Sequence, residues 1–213
     1  MRVVAGEKRG QRLVAPPGRN TRPTSDRVRE AMFSMLGSLE AIAGASVWDL
    51  FAGSGALGIE ALSRGASRAT LVEQAPAAVA AARSNLATLG YGPDRARVVC
   101  SDVLSWLSPE RRDVRSSEGV DVVFADPPYS WEGWDTLLAG LVDLAPLVVM
   151  QAGQEVLLPE EWRCIRCRRY GTTVVTLTRT IDRVRACPME EACEDSAVSG
   201  FFRPVPQRPS GDS

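Results

Sequence analysis

Apolar positions recur every three to four residues near the start of the chain. Val28, Ala31, Met32, Met35, Leu36 and Leu39 fall on one stripe, which predicts an amphipathic helix over 25–39. Pro23 discourages helix before it, and Thr24 or Ser25 supplies an N-cap. From Ser46 the pattern changes to short apolar runs alternating with helical segments. Strands are predicted at 46–51, 69–73, 97–101, 120–125, 147–151, 163–169 and 174–177. Helices are predicted at 56–64, 76–89, 103–107 and 134–144, the second opened by Pro76 and followed by Gly90. The run 120–125 is almost wholly apolar, as a strand buried on both faces must be. This alternation predicts an α/β fold: a doubly wound, mostly parallel, seven-stranded Rossmann-like sheet with a small N-terminal extension. Residues 1–24 read as a basic arm or hairpin and 25–180 as the main domain. Residues 181–213, rich in Pro, Ser and acids, read as a flexible tail.

Composition narrows the chemistry. The 213 residues are 45% hydrophobic and 24% charged, enough to bury a sizeable core. There is no histidine, which excludes Ser-His-Asp and Cys-His nucleophiles, HExxH zinc sites and any histidine base. Five scattered cysteines, no apolar signal segment after Met1 and no apolar run long enough to span a bilayer predict a cytoplasmic protein with reduced thiols. No metal is expected: Cys164 and Cys167 lie three apart in a predicted strand, where regular alternation points them to opposite faces.

Two motifs carry chemistry. The stretch Gly53 to Gly58 reads G-x-G-x-x-G at the end of the first sheet strand, where glycines allow a sharp turn close to a ligand. Glu73 closes the next strand twenty residues on, placed to accept from two ribose hydroxyls. A nicotinamide dinucleotide and S-adenosylmethionine both fit that pair. Asp49 separates them: four residues before Gly53, its carboxylate attracts an amino-acid ammonium and repels a pyrophosphate. Asp102, after the third strand, either accepts from an adenine amino group or caps the short helix behind it. The second motif is Asp126-Pro127-Pro128-Tyr129, directly after the buried fourth strand. The prolines stiffen the backbone, Asp126 and the Pro127 carbonyl can both accept from one exocyclic amino group, and Tyr129 offers a face for a planar base. Trp131 and Trp134 either line the same cleft or pack the next helix on the sheet.

With Asp49-x-Phe51-x-Gly53-x-Gly55, the Asp-Pro-Pro-Tyr motif resembles the class I S-adenosylmethionine-dependent amino-methyltransferases. The run Arg22-Pro23-Thr24-Ser25-Asp26-Arg27-Val28-Arg29-Glu30 and the stretch from Asp49 to Ala66 are similar to the bacterial 16S rRNA guanine-N2 methyltransferases of the RsmD type, which methylate the guanine known as position 966. The resemblance runs from Val3 to about Thr180. It implies S-adenosylmethionine as cofactor, held by Asp49, Phe51, Gly53, Gly55, Glu73 and Asp102 with Arg22 and Thr24 approaching it. It also implies Asp126, Pro127, Pro128 and Tyr129 as the catalytic pocket, and 16S rRNA in an assembling 30S particle as partner. Met150-Gln151-Ala152 departs from the acidic pair that members often carry there. No membrane partner is expected, and a monomer is the default.

The near-neutral net charge of −1 conceals two basic segments. Residues 1–30 carry eight basic residues against three acids, among them Lys8, Arg9, Arg12, Arg19, Arg22 and Arg29; residues 163–185 carry seven arginines against Asp182. Both suit RNA phosphates, or else form solvated charged faces. Two other readings stand beside this one: a DNA adenine-N6 methyltransferase, and a non-catalytic RNA-binding assembly factor on the same fold.

Overall fold

The computed structural model describes residues 1–16, 26–108, 110 and 119–181. Arg19, Arg22, Thr24, the segment 182–213 and the cysteines in it lie outside the described residues. The chain order is α1 (Asp26–Gly37), β1 (Ser46–Leu50), α2 (Ala56–Ser63), β2 (Arg68–Glu73), α3 (Pro76–Thr88), β3 (Ala96–Cys100), α4 (Val103–Leu107), β4 (Val122–Ala125), α5 (Trp134–Leu141), β5 (Leu147–Ala152), β6 (Trp162–Tyr170) and β7 (Thr173–Thr180).

All seven strands form one sheet in the order β3-β2-β1-β4-β5-β7-β6. β1 to β5 pair in parallel, and β7 runs antiparallel between β5 and β6. Order reverses between β1 and β4, so the carboxyl ends of these strands open a crevice at the switch point. Alternation along the strands feeds two apolar layers. Val47, Phe124 and Val149 meet α1, α2 and α3 on one face. Trp48, Leu50, Ala125 and Val148 meet α4 and α5 on the other. Both layers are buried because the parallel strands have no solvent face.

Several element boundaries differ from the pattern, among them the end of α5 and the extent of β7. α5 ends at Leu141 rather than continuing to 144, because Val142, Asp143 and Leu144 turn toward Ala145 and β5. β7 runs over all of Thr173–Thr180 rather than 174–177, so Thr173, Thr178 and Thr180 also belong to the strand, where their branched side chains are favoured. The β6–β7 pairing also overturns the alternation expected for the cysteines. A register shift between Cys164 and Arg166 inserts one residue, so Cys164 pairs with Thr178 and Cys167 with Thr176. Those threonines are two apart, so the cysteines share a face instead of opposing one another. Among the described residues, no helix is long and apolar enough to cross a membrane.

The N-terminal segment is built into the α1–α3 layer. An isolated antiparallel bridge joins Arg2 and Arg12, with Val3 and Leu13 buried beneath it. Glu60, on a helix that is otherwise apolar or small, accepts from the amides of Val4 (2.7 Å) and Ala5 (2.9 Å) and from Arg64 Nε (2.8 Å). Asn85 accepts from the Val14 amide and donates to the carbonyls of Val14 and Ser54. Arg29 is a correction to the RNA-facing set. It is fully buried, donating to the Arg2 carbonyl and to Asp26, with Nε 3.6 Å from Glu60. It holds the arm to the body, and its burial removes it from any RNA surface.

Candidate functional site

The crevice is a cleft of about 630 Å³ at the carboxyl ends of the strands. Its walls include Asp49, Phe51, Gly53, Glu73, Asp102 and the whole of Asp126, Pro127, Pro128 and Tyr129, so two motifs more than seventy residues apart meet in one space. Ala15 and Pro16 bring the arm to its rim. Lys8, Arg9 and Arg12 sit on that arm: Arg9 and Arg12 are exposed, and Lys8 lies over the Tyr91 ring.

The loop after β1 is shaped by positive backbone angles. Gly53 and Gly55 have φ of 54° and 81°, values that side chains disfavour. At Gly55 a Cβ would also fall 2.6 Å from Leu71 Cδ2, so a side chain there would have to displace the Leu71 tip as well as strain the backbone. Phe51 takes φ of 64° without being glycine, and its ring stacks edge-on against Trp131 at 4.9 Å. Trp131 in turn meets Trp134 at 5.3 Å, and both pack against the α4–α5 layer, which decides their role for packing.

The carboxylates are placed with care. Asp49 is 1% exposed, and its Oδ2 accepts from the Gly58 amide at 2.8 Å. Burial pushes its carboxyl well above the usual carboxylate range. The Gly58 amide pulls it down by less, and the charges of Asp126 and Glu73 add to the rise. Glu73 accepts from the amides of Gly53 and Ala75, both at 2.8 Å, which fixes its carboxylate at the rim with lone pairs to spare. Asp102 caps α4 by accepting from the Ser105 amide at 2.9 Å, and it also lines the cleft, so the two roles read for it are compatible. No lysine or arginine side chain lines the cleft among the described residues. Four acids, Asp49, Glu73, Asp102 and Asp126, make a space that attracts a cationic ligand and repels a pyrophosphate.

Tyr129 shares a 2.5 Å hydrogen bond with Thr173 on β7. Tyr170, Thr173 and Gln151 extend the same wall, and sequence reasoning singles out none of the three as a site residue. The only local sign for Gln151 is a polar residue closing an apolar strand. For Tyr170 and Thr173 there is none, because β6 and β7 reach the cleft only through sheet pairing.

A mostly parallel sheet ordered 3-2-1-4-5-7-6, with its cleft at the switch point and Asp-Pro-Pro-Tyr on the rim, defines a methyltransferase of the class I architecture. The chain belongs to the family described as conserved hypothetical protein 95, whose model matches residues 1–179. It is 43% identical over 129 residues to ribosomal RNA small subunit methyltransferase D of Escherichia coli K12, covering 61% of this chain and 60% of that one. With the Haemophilus influenzae protein of the same name it shares 31% identity over 178 residues, covering 80% of this chain and 89% of that one. A solved structure from Thermus thermophilus, titled a hypothetical protein, superposes with a TM-score of 0.68 at 34% identity, covering 83% of this chain and 98% of that one.

Proposed function

We propose that this enzyme transfers a methyl group from S-adenosylmethionine to the exocyclic N2 of a guanine in 16S rRNA, acting as a monomer on an assembling 30S particle in the cytoplasm. The observation that carries the reading is a single cleft in which acids suited to a cationic adenosine ligand face a rigid Asp-Pro-Pro-Tyr rim suited to an amino-bearing base. The names of the relatives, small-subunit rRNA methyltransferases, support the substrate.

The donor set fits the cofactor. Asp49 would meet the cationic amino-acid end, the glycine loop leaves room for the backbone to approach, Glu73 would accept from the ribose and Asp102 from the adenine. S-adenosylmethionine, when bound, supplies a methyl group already activated on sulfur, so no metal or covalent enzyme intermediate is called for. The chain's own task is placement. The lone pair of guanine N2 is delocalised into the ring. Asp126 and the Pro127 carbonyl would accept hydrogen bonds from its two N–H groups, turn the lone pair toward the methyl carbon and stabilise the positive charge that develops on nitrogen until one of these protons leaves to Asp126 or to solvent. Tyr129, held by Thr173, stacks on the base. In-line alignment of this kind supplies roughly 7–11 kcal/mol of a barrier. Lys8, Arg9, Arg12, Arg19 and Arg22 are assigned to RNA phosphates.

Mass spectrometry of rRNA nucleosides from a strain lacking the gene is expected to show the loss of one N2-methylguanosine from small-subunit rRNA, restored by the intact gene. An unchanged nucleoside profile would refute the assignment.

Asp49 makes cofactor affinity depend on pH. Its raised pKa means that the free protein still holds a proton there above the usual carboxylate range, and a cationic ligand must displace it. Affinity for S-adenosylmethionine should therefore rise with pH through that window, with proton release. Calorimetry in two buffers of different ionisation enthalpy measures both. Asp49→Asn should flatten the pH profile and weaken binding by about tenfold or more, the value of one lost charge contact. An equally steep profile in the variant would contradict this role.

A further inference from the structure

The Gln151 carboxamide stands out among the buried polar groups. The residue is 5% exposed, and its Oε1 has no hydrogen-bond partner among the described residues. A buried acceptor without a partner is costly, and native structures keep few of them. The residue lines the cleft.

Its position follows from register. Phe124 pairs with Val149 and Ala125 with Met150, so one further step puts Gln151 beside Asp126, where β4 ends. Phe124 and Val149 belong to the same apolar layer, and Gln151, two residues after Val149, points to that side. Across the sheet it is paired with Val175 on β7, two residues after Thr173, which holds the Tyr129 hydroxyl. The Tyr129 ring lies over Gly153, where an added Cβ would come 3.3 Å from Cδ2. Gln151 thus sits between the acceptor for the amino group and the ring proposed to stack on the base.

We infer that Gln151 reads the edge of the target guanine next to the amino group, accepting from N1–H through Oε1 and donating to O6 through Nε2. This rests on the proposed methylation of guanine N2 and names the residue that selects that base. The chemistry is complementary. Guanine presents a donor and then an acceptor beside its amino group, and one carboxamide offers an acceptor and a donor at matching spacing. The terminal torsion of Gln is broad and two-fold, so either end turns toward the base at little cost. Adenine and cytosine present a ring acceptor beside their amino groups and match at most one of the two contacts. Gln151 is a specificity residue by this account. The methyl transfer itself runs at Asp126 and Pro127.

The test uses 16S rRNA with guanine or 2-aminopurine at the mapped acceptor site, rebuilt into 30S particles. 2-Aminopurine keeps the amino group and the shape of the base but lacks N1–H and O6. The intact enzyme is expected to favour guanine in kcat/KM, and Gln151→Leu to shrink that preference by about tenfold to a hundredfold, the scale of a lost bidentate base contact. The intrinsic difference in amine reactivity is common to both proteins and cancels in the comparison. Melting temperature and S-adenosylmethionine affinity confirm that the variant is folded and loaded. An equal preference in the folded variant would overturn the inference. If that variant does not fold, the near-isosteric Gln151→Met takes its place in the same comparison: an unchanged preference overturns the inference, and a reduced one supports it. No transfer to either RNA would overturn the functional reading itself, and this inference with it.

Discussion

Asp126→Ala is expected to lower kcat for methyl transfer by about 10²–10³-fold or more while S-adenosylmethionine affinity changes little. The size follows from removing a fixed acceptor aimed at a charge that develops during reaction, an effect commonly worth 10²–10³ in rate. The separation from binding follows from the layout. The cationic end of the cofactor is assigned to Asp49, a fully buried carboxylate on β1, whereas Asp126 stands one strand away on the Pro-Pro rim. Asp126 also contributes to the raised pKa of Asp49. Removing its charge eases ionisation of Asp49, which offsets part of any attraction lost with it. Asp126→Asn keeps one acceptor oxygen and should retain more activity than alanine. Single-turnover rates on small-subunit rRNA, with calorimetry for the cofactor, separate the two effects. Turnover within tenfold of normal for Asp126→Ala would remove this residue from the centre of the mechanism.

Glu60→Ala is expected to destabilise the protein by about 3–5 kcal/mol, the range for removing one partner of a buried ion pair. Glu60 and Arg29 are both fully buried, and Glu60 also satisfies the amides of Val4 and Ala5. Its loss leaves a buried guanidinium whose Nε and Nη1 already lack hydrogen-bond partners, and it frees the arm at Val4 and Ala5. At about 2–4 °C per kcal/mol for a domain of this size, Tm should fall by about 6–20 °C. Because the arm reaches the cleft rim at Ala15 and Pro16, activity at permissive temperature should fall as well. Denaturant unfolding of the variant checks the first expectation, and a loss under about 1 kcal/mol would show that the network carries little.

The sheet, most helices and the Asp49–Gly53–Glu73 and Asp126–Tyr129 motifs are legible from local pattern. Parallel strands buried on both faces must be apolar runs, and the turns at their carboxyl ends must carry the glycines, prolines and acids that meet a ligand. Four things are not legible there. Arg29 reads as one more cation in a basic segment until Glu60, thirty-one residues away, is seen beside it. The facing of Cys164 and Cys167 depends on a bulge that local alternation does not announce. Asp102 has two compatible roles where sequence poses a choice. Gln151 gains a role only through its buried oxygen, which has no partner among the described residues.

The division has a physical basis. Sequence by itself determined the features that neighbours along the chain dictate: period, caps, turns, and which strand ends bear chemistry. Tertiary structure alone decided the features that depend on cross-strand register and on burial of charge. Those come from contacts between residues tens of positions apart, and the free energy of a buried carboxylate, guanidinium or amide is set by those distant partners rather than by its own surroundings in sequence.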